Sequence, residues 1–200
     1  ERLDDFLYTF SLAYPVSRYV EINISCPNTG EERLDSKYEF MQALFKGIQE
    51  IRDNFKLSKR RAVYAKLSPG SDKANLERTV GLTQGHGING VILFNTWPYE
   101  MIPLGFLMTP EEEITILTAD GKRGGVSGPP LYRYVKEGVR FVKRNFPTLS
   151  VLGCGGIETG RQLKELSDLG TDADEILTVN IYRWKAAKTI CQEYLNCLNS

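Results

Sequence analysis

Residues 19–25 read Tyr-Val-Glu-Ile-Asn-Ile-Ser, a short run rich in β-branched and aromatic residues. It passes directly into Cys26-Pro27-Asn28-Thr29-Gly30, where proline, asparagine and glycine call for a turn. The same sentence structure, an apolar run ending in polar or glycine-rich sequence, recurs down the chain. Ala62–Leu67 (AVYAKL), Gly90–Asn95 (GVILFN), Leu149–Gly153 (LSVLG) and Glu175–Asn180 (EILTVN) read as further strands. Helical spacing fills the intervals. Asp35–Phe55 places Phe40, Leu44, Ile48 and Ile51 on one face, with Ser36 and Glu39 spaced as a capping box. Ser71 or Asp72 opens a helix that ends near Gly85–Gly87, and Pro129–Phe146, Thr159–Leu169 and Trp184–Leu198 supply the others.

Strands alternating with helices predict a parallel sheet covered by helices, because parallel neighbours need a long crossover. The strands are short and apolar, as expected when both faces are buried. An open doubly wound sheet and part of a (β/α)8 barrel both satisfy this pattern. Asn23, Lys66, Asn95 and Gly155-Gly156 fall at the C-terminal ends of four different strands. A barrel carries its active site on that rim, whereas a doubly wound sheet binds mainly at one switch point. Four functional-looking ends favour the barrel. Trp97–Arg123 is too long for an ordinary connection and reads as a functional loop, with Ile114–Thr118 as a small hairpin strand inside it.

The chain has 200 residues, 42% hydrophobic and 25% charged, with zero formal net charge. It can bury a substantial core, but it has no basic field to draw nucleic acid and no basic block for an anionic membrane. Apolar runs such as Val91–Phe94 are far too short to span a bilayer. Cys26, Cys154, Cys191 and Cys197 show no CxxC spacing, and the single histidine, His86, is too little for a Cys/His zinc site. A reducing compartment is the simpler expectation, and no metal is expected.

Several residues carry chemistry. Asn23 and Asn28 each offer an amide that donates and accepts, suited to a flat ligand with alternating C=O and N–H edges. Cys26 lies between them, where a thiolate of lowered pKa can abstract a proton; the plainer reading is a small buried residue in a polar turn. Lys66 ends an otherwise apolar strand, so it either faces an electron-rich ligand or pairs with a strand-end carboxylate. Gly124–Gly128 (GGVSG) and Gly153–Gly156 (GCGG) each precede a helix, and two glycine turns feeding helix N-termini can cradle a phosphate.

Together these runs resemble a known family. EINISCPNTG (Glu21–Gly30), AKLSP (Ala65–Pro69), FNT (Phe94–Thr96), GGVSG (Gly124–Gly128) and GCGGIETG (Gly153–Gly160) are similar, in order and spacing, to the motifs of dihydroorotate dehydrogenases. The resemblance implies the C-terminal five β/α units of a (β/α)8 barrel, one partial domain over residues 1–200, with the first three strands absent. It implies FMN as cofactor and oxidation of dihydroorotate to orotate in pyrimidine biosynthesis. Cys26 would be the base at C5 of the substrate, while FMN N5 takes the hydride from C6. Asn23, Asn28, Asn95 and Thr96 would hold the pyrimidine. Lys66 would lie near the flavin N1–C2 edge, and Ser127, Gly128, Gly155 and Gly156 would contact FMN, chiefly at its phosphate.

Cys26 and the long loop Gly105–Gly128 look most like class 1A, whose members are cytoplasmic homodimers that pass electrons to fumarate. PNTG looks more like the membrane-bound class 2, for which a mitochondrial location is the alternative. In the family a Gly-Thr or Tyr-Thr pair binds the FMN phosphate, and the resemblance sets Val179-Asn180 at those positions, leaving Asn180 as the donor. Phe94 and Trp97 are also bulky for their places. These departures, with the missing strands, keep a second expectation open: a family member reused as a structural subunit of a larger assembly.

Overall fold

The computed structural model describes residues 2–25, 37–69, 72–98 and 125–199. In chain order the elements are α1 (Arg2–Ala13), β1 (Tyr19–Asn23), α2 (Tyr38–Asn54), β2 (Ala62–Leu67), α3 (Lys73–Gly85), β3 (Gly90–Leu93), β4 (Trp97–Pro98), β5 (Gly125–Val126), α4 (Tyr132–Asn145), β6 (Ser150–Cys154), α5 (Gly160–Leu169), β7 (Ala173–Glu175), α6 (Thr178–Tyr182) and α7 (Ala186–Leu198). Five strands form one parallel sheet in the order β1-β2-β3-β6-β7. Within this sheet each strand pairs with the next of the five in sequence. The C-terminal ends line up: Asn23 stands beside Lys66, Leu67 beside Leu93, Leu93 beside Gly153, and Cys154 beside Glu175.

The period-2 geometry of a strand divides the sheet into two faces. Ile22, Val63, Ala65, Leu67, Val91, Leu93 and Val151 form the helix-covered face, packed in one apolar core with Met41, Leu44, Phe45 and Ile48 of α2 and Val135, Val139 and Val142 of α4. The opposite face carries Tyr19, Glu21, Lys66, Cys154 and Glu175. Burial on both faces holds for β3, where all four residues are buried, but β2 alternates between half-buried and buried. That polar face is what a site can be built on.

Local signals explain the helix limits. Asp72 caps α3, accepting from the Asn75 amide at 2.7 Å. Thr159 and Gln162 close a capping box on α5, and Gly170 ends it in the left-handed conformation. α2 starts at Tyr38, with Lys37 at its N-cap position, and Ser36 of the expected capping box lies outside the described residues. α1 had no counterpart in the sequence reading. Phe10 and Tyr14 bury its inner face, with rings stacked 5.2 Å apart and Tyr14 5.8 Å from Phe55 at the end of α2.

One buried charge ties helix to sheet. Arg52, only 5% exposed at the end of α2, donates to the Gly87 carbonyl at 2.6 Å and to Asn89 Oδ1 at 3.2 Å. Asn89 Oδ1 also accepts from the Val63 amide at 2.9 Å, so the starts of β2 and β3 share one polar anchor.

Candidate active site at the C-terminal rim

The ends of β1 and β3 bring two predicted amides into contact. Asn95 Nδ2 donates to Asn23 Oδ1 at 3.2 Å and to Ser25 Oγ at 3.2 Å. Asn23 Oδ1 also accepts from the Ser25 amide, at 3.2 Å. The Thr96 amide donates to Asn95 Oδ1 at 2.9 Å, and the Asn95 amide is held by the Leu67 carbonyl at 2.8 Å. Ser25, fully buried, is the organiser of this group and was not singled out in the sequence. Cys26 and Asn28 lie outside the described residues, as do 99–124 with the expected Ile114–Thr118 strand. Trp97–Pro98 pairs antiparallel with Gly125–Val126.

Beside the amides opens a cleft of about 490 Å³, bounded by Lys66, Asn95, Thr96, Ser127, Gly128, Cys154, Gly155, Gly156, Glu175 and Thr178, with Glu21 and Tyr19 at one side. Its floor is ionic. Lys66 Nζ meets Glu175 Oε2 at 2.8 Å, with the two side chains 19% and 26% exposed. The carboxylate partner foreseen for Lys66 is thus present, and the lysine still faces the cleft. Burial disfavours the Lys66 charge, but the Glu175 hydrogen bond and nearby anionic groups outweigh it and raise its pKa. Burial likewise opposes the Glu175 charge, and Lys66 overcomes it, so that carboxyl is held below its usual range. Glu21 moves the other way: burial and its hydrogen bond to Glu175 raise it. Burial pushes the Cys154 thiol up to about 12, which keeps it a thiol at neutral pH.

The far wall is backbone. Gly128, Gly155 and Gly156 all have positive φ, at 85°, 126° and 71°. A Cβ on Gly156 would sit 2.6 Å from the Gly128 carbonyl oxygen and 2.7 Å from the Tyr132 amide, so only glycine lets the two turns approach. This is a cradle for a ligand group, formed where a 3-10 turn (Pro129–Leu131) leads into α4 and where β6 leads toward α5. Thr178 Oγ1 donates to Ser127 Oγ at 3.1 Å and adds hydroxyls to the same wall. Backbone N–H groups and hydroxyls of this kind suit an anionic group such as a phosphate.

Three expectations are corrected. The last strand is not Glu175–Asn180: β7 is Ala173–Glu175, and the chain turns at Leu177 into α6. Consequently Leu177 and Thr178 line the cleft at the strand end, and Val179-Asn180 does not. Val179, 3% exposed, packs on Ala186 and Ile190. Asn180 Oδ1 accepts from the Ala187 amide at 3.2 Å, in the first turn of α7. Phe94 and Trp97 are accommodated: a Cβ on Gly138 of α4 would lie 2.8 Å from the Phe94 ring, and Trp97 packs edge-on to Tyr134 at 4.5 Å.

The chain is similar to known proteins. The sequence model of the family described as Dihydroorotate dehydrogenase matches residues 1–198. The chain is 29% identical over 185 residues to a dihydroorotate dehydrogenase (quinone) of Delftia acidovorans, covering 91% of this chain and 50% of that protein. It is 29% identical over 191 residues to one from Bordetella parapertussis, covering 94% and 52%. A crystal structure of DHODH from Eimeria tenella in complex with ferulenol superposes with a TM-score of 0.84 at 22% identity, over 98% of this chain and 54% of that one. The chain spans about half the length of these relatives, and its sheet is five parallel strands of an α/β barrel. It belongs to the dihydroorotate dehydrogenase family.

Proposed function

We propose that this chain is the substrate- and flavin-binding half of an FMN-dependent enzyme that oxidises dihydroorotate to orotate in pyrimidine biosynthesis. The observation that carries the reading is the convergence on one cleft of paired amides, a lysine floor and a glycine cradle. The relatives bear the name dihydroorotate dehydrogenase, and the residues here suit that chemistry.

Backbone N–H groups at Gly155-Gly156 and Ser127-Gly128, with the Thr178 hydroxyl, would hold the FMN phosphate. Bound there, FMN supplies a two-electron acceptor for the substrate's hydride. Asn23, Asn95 and Thr96, with Asn28, would fix the pyrimidine by its alternating carbonyl and N–H edge. The Asn23–Asn95–Ser25 contacts pre-set those amides, which lowers the cost of orienting substrate. Cys26 would take the proton from C5 as general base. Lys66 would lie against the electron-rich edge of the ring. The relatives' names carry quinone, which favours a quinone over fumarate as electron acceptor.

The test uses the full-length protein. FMN titration followed by flavin fluorescence should show saturable binding, and dihydroorotate should bleach the bound flavin anaerobically. Cys26→Ala should leave FMN affinity unchanged and slow the bleaching by about 10²–10⁴-fold. An unchanged bleaching rate would remove Cys26 from the role of base, and no binding of FMN by the native protein would reject the reading.

A further inference from the structure

Lys66 and Glu175 belong to strands that are not neighbours. In the order β1-β2-β3-β6-β7, two strands separate β2 from β7. With neighbouring strands about 4.8 Å apart, a flat sheet would set their backbones roughly 14 Å apart. Their side chains nevertheless meet at 2.8 Å. The bridge therefore reaches across the concave polar face, past Ile92, the partner of Lys66 on β3, and past Cys154, the partner of Glu175 on β6. Where the ammonium sits is decided by β7, although the lysine grows from β2.

We propose that Glu175 is a positioning residue that draws the Lys66 ammonium to the middle of the cleft floor and offsets its charge there, restraining the electron affinity of the flavin bound above it. The inference rests on the FMN reading. Among the described residues the charged groups lining the cleft are Glu21 from β1, Lys66 from β2, Glu175 from β7 and Glu158 after β6, with the Cys154 thiol between Lys66 and Glu175. Glu175 offsets the Lys66 charge across 2.8 Å, while burial and the hydrogen bond to Glu175 raise the Glu21 carboxyl. Replacing Glu175 by an isosteric amide removes one negative charge beside the ammonium. It also frees the ammonium to fall back toward Glu21. A positive charge under the ring favours the reduced, anionic flavin and any anion that adds to it.

The experiment measures the midpoint potential of bound FMN and the dissociation constant for sulfite in the full-length protein. Glu175→Gln should raise the potential and tighten sulfite binding about tenfold, a change equivalent to roughly 30 mV for a two-electron couple. Lys66→Met should shift both in the opposite direction, and the double variant should return toward the native values. Glu175→Asp, which keeps the charge on a shorter arm, should fall between native and Glu175→Gln. A residue that merely braces the fold would change FMN affinity or melting temperature and leave the potential alone. Flavin bound by Glu175→Gln at the native potential would overturn the inference while leaving the FMN reading intact. If Glu175→Gln does not fold, Glu175→Asp with an unshifted potential overturns it equally. Native protein that takes up no FMN would overturn both.

Discussion

Asp174 is the least comfortable charge in the structure. It lies on the helix-facing side of β7, one residue before Glu175. Its Oδ2 accepts from Thr171 Oγ1 at 3.2 Å. Its Oδ1 is buried against Gly153 and has no well-formed hydrogen bond among the described residues. Burial raises the carboxyl to about 6, against partial relief from Thr171 and the Gly153 amide. The unfolded value is about 3.9. A folded pKa above the unfolded one means that the native state binds more protons between about pH 4 and 6, so stability is lost as pH rises through that window. Two pKa units at about 1.4 kcal/mol each give roughly 3 kcal/mol withheld from the native state at pH 7. Asp174→Asn keeps the shape and removes the charge. We expect it to match the native protein near pH 4 in urea unfolding and to exceed it by about 1–3 kcal/mol at pH 7.5, with the gap opening between about pH 4 and 6. A variant no more stable at pH 7.5, or a gap of constant size across that range, would refute the argument.

Three further outcomes follow from the geometry. Arg52→Met should lower the urea midpoint by the equivalent of about 2–3 kcal/mol with an unchanged m value, because the Gly87 carbonyl loses a charged donor in a buried place. Asp172 has the opposite sign to Asp174: burial opposes its charge, but the Val151 amide, the Ser150 hydroxyl and Lys143 outweigh that and lower its pKa. Asp172→Asn should therefore destabilise at pH 7, and its effect should fade as pH drops below the ordinary carboxylate value of about 3.9, as urea unfolding across that range would show. Gly156→Ala should open the cradle, since the new Cβ would lie 2.6 Å from the Gly128 oxygen; about 1–3 kcal/mol of crowding should weaken FMN binding roughly 5- to 150-fold in a fluorescence titration.

The sheet was legible because every strand is a local event. AVYAKL and GVILFN carry their own periodicity, and a capped helix follows or precedes each. Two kinds of information were not local. The Lys66–Glu175 bridge joins positions 109 residues apart, and nothing around Lys66 names its partner. The last strand failed for a different reason. EILTVN has the β-branched composition of a strand, yet burial of Val179 against Ala186 and Ile190 is better served by a helical turn. Tertiary packing overrode propensity over residues 176–180. The missed α1 was readable in principle, because Phe6, Phe10 and Tyr14 recur at helical spacing.

That misplaced strand end bears on function. The expectation of a structural subunit leaned on Val179 as an obstacle beside the phosphate. With β7 ending at Glu175, the residues at the strand end are Leu177 and Thr178, and Val179 points into the α7 contact. Thr178 brings a hydroxyl to Ser127 at the cradle where a valine would have brought only bulk. The argument from decay thus loses its chemical part. What survives is topological: β1 and β7 are the edges of a five-stranded parallel sheet, and the matched relatives are about twice as long. An incomplete sheet is a statement about how much of a barrel is present, and it carries no evidence that the rim was abandoned. The rim itself argues for use. Asn23 and Asn95 hydrogen-bond each other and Ser25, and Asn95 lines a cleft walled by three positive-φ glycines. Amides and glycines without a ligand to serve would contribute less to stability than apolar residues at the same positions.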